Sequence, residues 1–362
     1  MQSQLSRSTN RSKMVPEFTG NWHQHREKPR ILVKCGGFSS QLARNVNEKV
    51  DGDPLWGSRF DATQPDAVIK THLDFLRKGA DIILTNTYQS SVEGFMKHLG
   101  KTREESIALI AKSVELARQA RTLYLTEVAE NNGDIAPDMP LILASIGPYG
   151  AHLHDGSEYT GSYANLVNFS QLQKWHKPRI DTCLAAGIDG LAVETLPCQL
   201  EALAVTDLIL TRYATPRFWV SFQCKDSSSL AHGESFAEAA LAVWNMVVKY
   251  RAKSRLIGIG VNCVNPNHVS PLLKSLLAKL LDGDTVPLVV YSNRGEIYDS
   301  DRGEWTGTGL NVASFVPEWL RLGVRIIGGC CRVYPDDIQE IRQTIEDIAQ
   351  QPNSPIQTSL VI

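Results

Sequence analysis

His72-Leu73-Asp74-Phe75-Leu76-Arg77-Lys78-Gly79-Ala80-Asp81-Ile82-Ile83-Leu84-Thr85 (HLDFLRKGADIILT, residues 72–85) joins the end of a helical pattern directly to an apolar run. Its first half closes a helical pattern over Pro65–Lys78, with apolar residues at Val68, Ile69, Leu73, Phe75 and Leu76. Gly79 stands where a helix ends in a left-handed residue. A continuous apolar run, Asp81–Thr85, follows at once and reads as a strand buried on both faces. The same Gly-apolar-Asp/Arg step recurs at Gly187-Ile188-Asp189 and Gly323-Val324-Arg325.

Further runs of this kind are Ile31–Lys34, Leu141–Ser145, Gly190–Glu194, Phe218–Phe222, Ile257–Asn262, Pro287–Tyr291 and Arg325–Gly328. With Asp81–Thr85 they predict eight strands. Helical periodicity fills the gaps over Glu104–Thr122, Leu172–Ala186, Leu200–Tyr213, Ser235–Lys249, Val269–Leu281, Val312–Leu322 and Pro335–Ala349. Strand and helix in alternation give an α/β chain, and eight repeats predict a single-domain (β/α)8 TIM-type barrel. A doubly wound open sheet is the alternative, but no GxGxxG follows the first strand. The barrel is expected over 30–350, with flexible tails at 1–29 and 351–362.

Hydrophobic residues make up 43% of the 362 and the formal net charge is −2, so neither nucleic acid nor a membrane surface is an expected partner. No run approaches the roughly 18 apolar residues of a membrane span. Residues 1–13 weakly resemble a transit peptide and read more simply as a tail. Seven cysteines with no secretory signal predict reduced thiols in a cytoplasmic protein.

Barrel chemistry sits at the C-terminal ends of the strands. Cys263 follows the sixth predicted strand, and Cys330 and Cys331 follow the eighth. Those strands are two steps apart, roughly 9–10 Å, while Zn–S bonds of about 2.3 Å place ligand sulfurs roughly 3.8 Å apart. Side chains leaning inward can close the gap. Adjacent cysteines reach one metal only if the strand has ended, and Gly328-Gly329 are expected to supply that turn. Three thiolates with an open fourth position predict a catalytic Zn2+. Small buried thiols, or an iron–sulfur cluster, are the other readings. A zinc-water hydrolase would want histidine or carboxylate ligands. His152 and His154, after the third strand, read as loop histidines.

The strings GGF (36–38), GADIILTNTYQSS (79–91), ASIGPYGAHLHDGSEYTG (144–161), ETLP (194–197), GIGVNC (258–263), YSNRGEIYD (291–299) and GGCC (328–331) resemble the homocysteine-binding domain of homocysteine S-methyltransferases. The resemblance implies zinc on Cys263, Cys330 and Cys331, with homocysteine and a small methyl donor as partners. It implies a substrate site with Gly36, Gly37 and Phe38 at the amino-acid corner and Glu194 for the ammonium; Trp56 and Tyr88 are expected to face a cationic donor because aromatic faces attract onium groups, and Asn293 stands at the same end of the barrel. No catalytic group beyond the metal-activated substrate thiolate is expected. Asp53-Pro54-Leu55-Trp56-Gly57 is similar to enzymes using S-methylmethionine, and the chain lacks the longer C-terminal extension of betaine users. A sulfonium donor, S-methylmethionine or S-adenosylmethionine, is therefore expected. Betaine, or a non-catalytic amino-acid or zinc-binding barrel, is the alternative. Cys35 departs from the family's usual Asp and is a conceivable fourth ligand. A monomer or weak homo-oligomer is expected.

Overall fold

The computed structural model describes residues 31–132, 138–299 and 304–351. The tails expected at 1–29 and 351–362 lie outside these residues, Gln351 excepted. Eight parallel strands form the sheet. They are β1 (Leu32–Val33), β2 (Ile82–Leu84), β3 (Leu141–Ile146), β4 (Gly190–Leu196), β5 (Phe218–Phe222), β6 (Leu256–Asn262), β7 (Leu288–Ser292) and, after an antiparallel hairpin of β8 (Ile297–Asp299) and β9 (Glu304–Thr306), β10 (Val324–Gly329). The order is β1-β10-β7-β6-β5-β4-β3-β2. Lys34 bridges to Ile82 in parallel, and Cys35 N donates to Ile82 O at 2.8 Å, so β1 meets β2 and the barrel closes. The expected fold is the observed one. β3, β4, β5 and β7 are buried at every residue, as the apolar runs require.

The helical layer comprises α1 (Phe38–Asn45), α2 (Phe60–Thr63), α3 (Pro65–Arg77), α4 (Val92–Leu99), α5 (Arg103–Asn132), α6 (Tyr149–Leu153), α7 (Phe169–Ala186), α8 (Gln199–Arg212), α9 (Phe236–Lys249), α10 (Pro266–Leu277), α11 (Val316–Arg321) and α12 (Pro335–Gln350). α5 runs ten residues past its expected end because no Gly or Pro interrupts it. α11 is shorter than expected: Val312–Phe315 is a 3₁₀ turn, and the helix proper begins there with a proline in its first turn.

The repeated Gly-apolar-Asp step has a double task. Gly79, Gly187 and Gly323 have φ of +90°, +86° and +91°, which ends the preceding helix. The aspartates then cap a neighbouring strand. Asp81 Oδ2 accepts from Val33 N at 2.7 Å, and Asp189 Oδ2 from Ile142 N at 2.8 Å. Arg342 and Arg121 pair with these carboxylates from the helical layer. Among the described residues no helix is long and apolar enough to cross a membrane.

Candidate metal centre and active site

β7 stands between β6 and β10, and its register brings the thiols to one level. Asn262 and Gly328 both pair with Tyr291, and Gly329 pairs with Ser292. Cys263 N donates to Tyr291 O (3.2 Å) and Cys330 N to Ser292 O (2.7 Å). Cys263 has φ +54°, which turns its side chain off the strand direction. The Sγ atoms of Cys263 and Cys331 are 3.6 Å apart, and single ligand atoms of Cys263, Cys330 and Cys331 all lie within 4.8 Å of one another. Those separations suit a tetrahedral edge of about 3.8 Å, and an all-sulfur donor set suits a soft or borderline metal. Cys35 is buried and stands outside this cluster.

The turn that converges the adjacent cysteines is not at Gly328-Gly329. Both glycines lie inside β10. The chain turns after them: Val333 N donates to Cys330 O at 3.1 Å, and Arg332 has φ +66°. The glycines are needed for close approach. A Cβ at Gly328 would lie 2.5 Å from Lys34 O, and one at Gly329 2.1 Å from Val333 Cγ1.

The thiols open into a cavity at the C-terminal end of the barrel. Gly36, Gly37, Phe38, Trp56, Tyr88, Glu194 and Cys35 also line it. A Cβ at Gly36 would meet Val333 O at 2.2 Å, and one at Gly37 would meet Cys330 O at 2.5 Å, so the Gly-Gly corner packs directly on the cysteine turn. α1 starts there with no side-chain cap, which leaves first-turn N–H groups facing the cavity's rim. Trp56 and Tyr88 meet edge to face, ring centroids 5.8 Å apart. Asn293 is not in the lining. Its Nδ2 donates to Cys263 O (3.4 Å) and its Oδ1 accepts from Gly295 N (2.8 Å), so it braces the loop behind Cys263. His152 bonds Ser91 Oγ through Nδ1 at 3.0 Å, and His154 is an exposed residue at φ +55°.

Residues given no role from sequence complete the site. Lys34 is 4% exposed. Its Nζ donates to Gly36 O (3.2 Å) and Gly329 O (2.9 Å) and sits 4.7 Å over the Tyr291 ring. Ser145 Oγ donates to Glu194. Burial pushes the Glu194 carboxyl up to about 7, while Lys34 pulls it down. Hydrogen bonds from Cys263 and Cys331, with help from Lys34, hold Cys330 well below an ordinary thiol, and its two neighbours are held up. Tyr159 lines the cavity beside Cys263. Lys34 ends an otherwise apolar run, a signal that sequence could have offered. Tyr159 follows no strand end and offered none.

A family model described as homocysteine S-methyltransferase matches residues 32–345. A betaine–homocysteine S-methyltransferase of Drosophila melanogaster is 63% identical over 332 residues, covering 92% of this chain and 98% of that relative. A selenocysteine methyltransferase of Astragalus bisulcatus is 35% identical, covering 86% and 91%. The crystal structure of the homocysteine methyltransferase MmuM from Escherichia coli, metallated form, matches with a TM-score of 0.71 at 35% identity, covering 86% of this chain and 96% of that one. Fold, thiol cluster and relatives together define a barrel methyltransferase. The chain belongs to the homocysteine S-methyltransferase family.

The relative at 63% identity is named for betaine, whereas a sulfonium donor was expected from Asp53–Gly57. That segment builds the cavity wall: Asp53 accepts from Leu55 N (2.8 Å) and pairs with Arg59 (3.0 Å), which sets Trp56 at the rim. An aromatic wall attracts sulfonium and quaternary ammonium alike, so the motif does not discriminate between them. Extension length does not discriminate either, since this chain spans 98% of a relative named for betaine.

Proposed function

We propose that the protein transfers a methyl group from betaine to the sulfur of homocysteine, on a zinc ion held by Cys263, Cys330 and Cys331. The observation that carries the reading is three buried or half-buried thiols within 4.8 Å at the floor of the cavity. The donor rests on 63% identity to a relative named for betaine.

Bound zinc supplies Lewis acidity that keeps a coordinated thiol deprotonated near neutral pH. The chain's residues do the rest. Glu194, anchored by Ser145, takes the α-ammonium of homocysteine. The first-turn N–H groups of α1 after Gly37 take its carboxylate. Trp56 and Tyr88 face the trimethylammonium group and align a methyl carbon with the acceptor sulfur. The sulfur lone pair forms the new S–C bond as the N–CH3 bond breaks and its electron pair stays on nitrogen. The products are methionine and a neutral tertiary amine, so no general acid is required.

The test is methionine formation from homocysteine with betaine, S-methylmethionine or S-adenosylmethionine, each in turn. Betaine is expected to give the highest kcat/KM. A higher value for S-methylmethionine would overturn the donor and leave the metal and acceptor standing. Transfer from none of the three would overturn the whole reading.

A further inference from the structure

Arg179 belongs to α7, in the helical layer, yet its guanidinium reaches the rim of the active site and is only 3% exposed. Nη1 donates to Tyr88 O at 2.7 Å and Thr87 O at 3.3 Å; Nη2 donates to Gly147 O at 2.6 Å. Thr87 and Tyr88 follow β2, and Gly147 follows β3, where the ladder no longer satisfies the carbonyls. The fork is itself held from behind. Nη2 also reaches His176 Nδ1 (3.1 Å), and His176 Nε2 lies 2.7 Å from Glu201 Oε1. Both contacts are satisfied by one tautomer, with Nδ1 accepting and Nε2 protonated. Glu201, on α8 and fully buried, also accepts from Tyr149 N at 2.7 Å and from the Tyr163 hydroxyl. A buried relay of Glu201, His176 and Arg179 thus ties the loops after β2 and β3 to two outer helices.

Tyr88 is mounted on one of the peptides that Arg179 holds and rests on another. A Cβ at Gly147 would lie 2.6 Å from Tyr88 Cδ2, so the ring lies directly on the Gly147 backbone. The opposite end of that ring's environment is Trp56. Burying a guanidinium and a carboxylate costs several kcal/mol per ion, and apolar residues would serve stability as well. What a planar fork adds is direction, because it fixes several carbonyls at once. We propose that Arg179, oriented by His176 and Glu201, is a positioning residue that sets the Tyr88 ring for the onium group of the methyl donor. The inference rests on the reading of Trp56 and Tyr88 as the donor wall.

The test uses the zinc-loaded full chain and compares Arg179→Met, Arg179→Lys, Glu201→Gln and Tyr88→Ala. KM for betaine, KM for homocysteine, zinc content and melting temperature are measured for each. Arg179→Met is expected to raise the betaine KM by about tenfold or more, with zinc content and homocysteine KM unchanged. Arg179→Lys should recover part of the loss, since an ammonium holds a carbonyl but not the fork. Glu201→Gln should shift the betaine KM in the same direction by less. A folded Arg179→Met with both KM values unchanged, or raised in parallel, would overturn the proposal. If Arg179→Met does not fold, an unchanged betaine KM in both Arg179→Lys and Glu201→Gln overturns it instead. Tyr88→Ala separates the two readings. If it leaves the betaine KM unchanged, the donor wall fails and the relay's role fails with it; if it raises that KM while the relay variants do not, only the relay fails.

Discussion

Thr195 and Cys263 both hold positive φ, 61° and 54°, and one side chain serves both neighbourhoods. Asn262 Oδ1 accepts from Thr195 N and Ser221 Oγ, each at 2.7 Å; its Nδ2 donates to Thr195 Oγ1 at 2.7 Å and reaches Cys330 Sγ at 3.9 Å. A β-branched residue at positive φ costs about 1–3 kcal/mol and persists only where its surroundings enforce it. Asn262→Ala is therefore expected to cost about 1–3 kcal/mol in chemical denaturation and to weaken metal binding by about 10–100-fold; unchanged metal affinity would contradict this role. Cys331→Ser should lose metal and turnover by more than that outer-shell range, whereas Cys35→Ser should keep one equivalent of zinc. Equal metal loss in both variants would return Cys35 to the ligand set. Glu194→Gln should raise the homocysteine KM by about 10–100-fold, the worth of a hydrogen bond to a charged group, with the betaine KM little moved. Cysteines could be read from sequence because the strand-end rule collects them. Asn262 could not be assigned, since its partners come from β4 and β5, which only the closed barrel brings near.

Where the cysteine turn lies depends on how β10 meets its neighbours, and there the sequence misled in an instructive way. Two glycines before two cysteines read as flexibility. Their actual task is to let β10 pass Lys34 and Val333 with no room for a Cβ, while Arg332 carries the left-handed conformation. Gly329→Ala is thus expected to distort the turn by overpacking, at about 1–3 kcal/mol, and to lower zinc stoichiometry. A variant with wild-type stability and full metal content would sink that account. Strands and long helices were readable because their burial leaves period and composition in the sequence. The β8–β9 hairpin was not, because three-residue strands leave no period to detect. Distinguishing a glycine needed for φ from one needed for clearance requires knowing what stands opposite.

Burial shifts several acids in the same direction. Burial raises Asp61 to about 8 and both Glu158 and Glu194 to about 7. Asp61 is fully buried. An acid raised on folding contributes stability that is fully present below its unfolded value of 3.8 and is lost as pH rises through about 8. The buried histidines, lowered from 6.5, act in the opposite sense but are neutral in both states above that pH. Between pH 6.5 and 8 the free energy of unfolding should therefore fall, and Asp61→Asn should lessen the fall, by an amount on the order of a few kcal/mol across the full titration. An identical slope in the variant would contradict the assignment. Fold and thiol cluster are legible in the sequence; the donor is not, because aromatic rings attract two kinds of onium ion alike. We infer that homocysteine sulfur joins three protein thiolates on zinc. Zinc X-ray absorption of the loaded protein, with and without homocysteine, tests it most directly. Three sulfur neighbours are expected, rising to four on addition of homocysteine; a sulfur count that stays at three, or a zinc shell without three sulfurs at the outset, would contradict this ligand set.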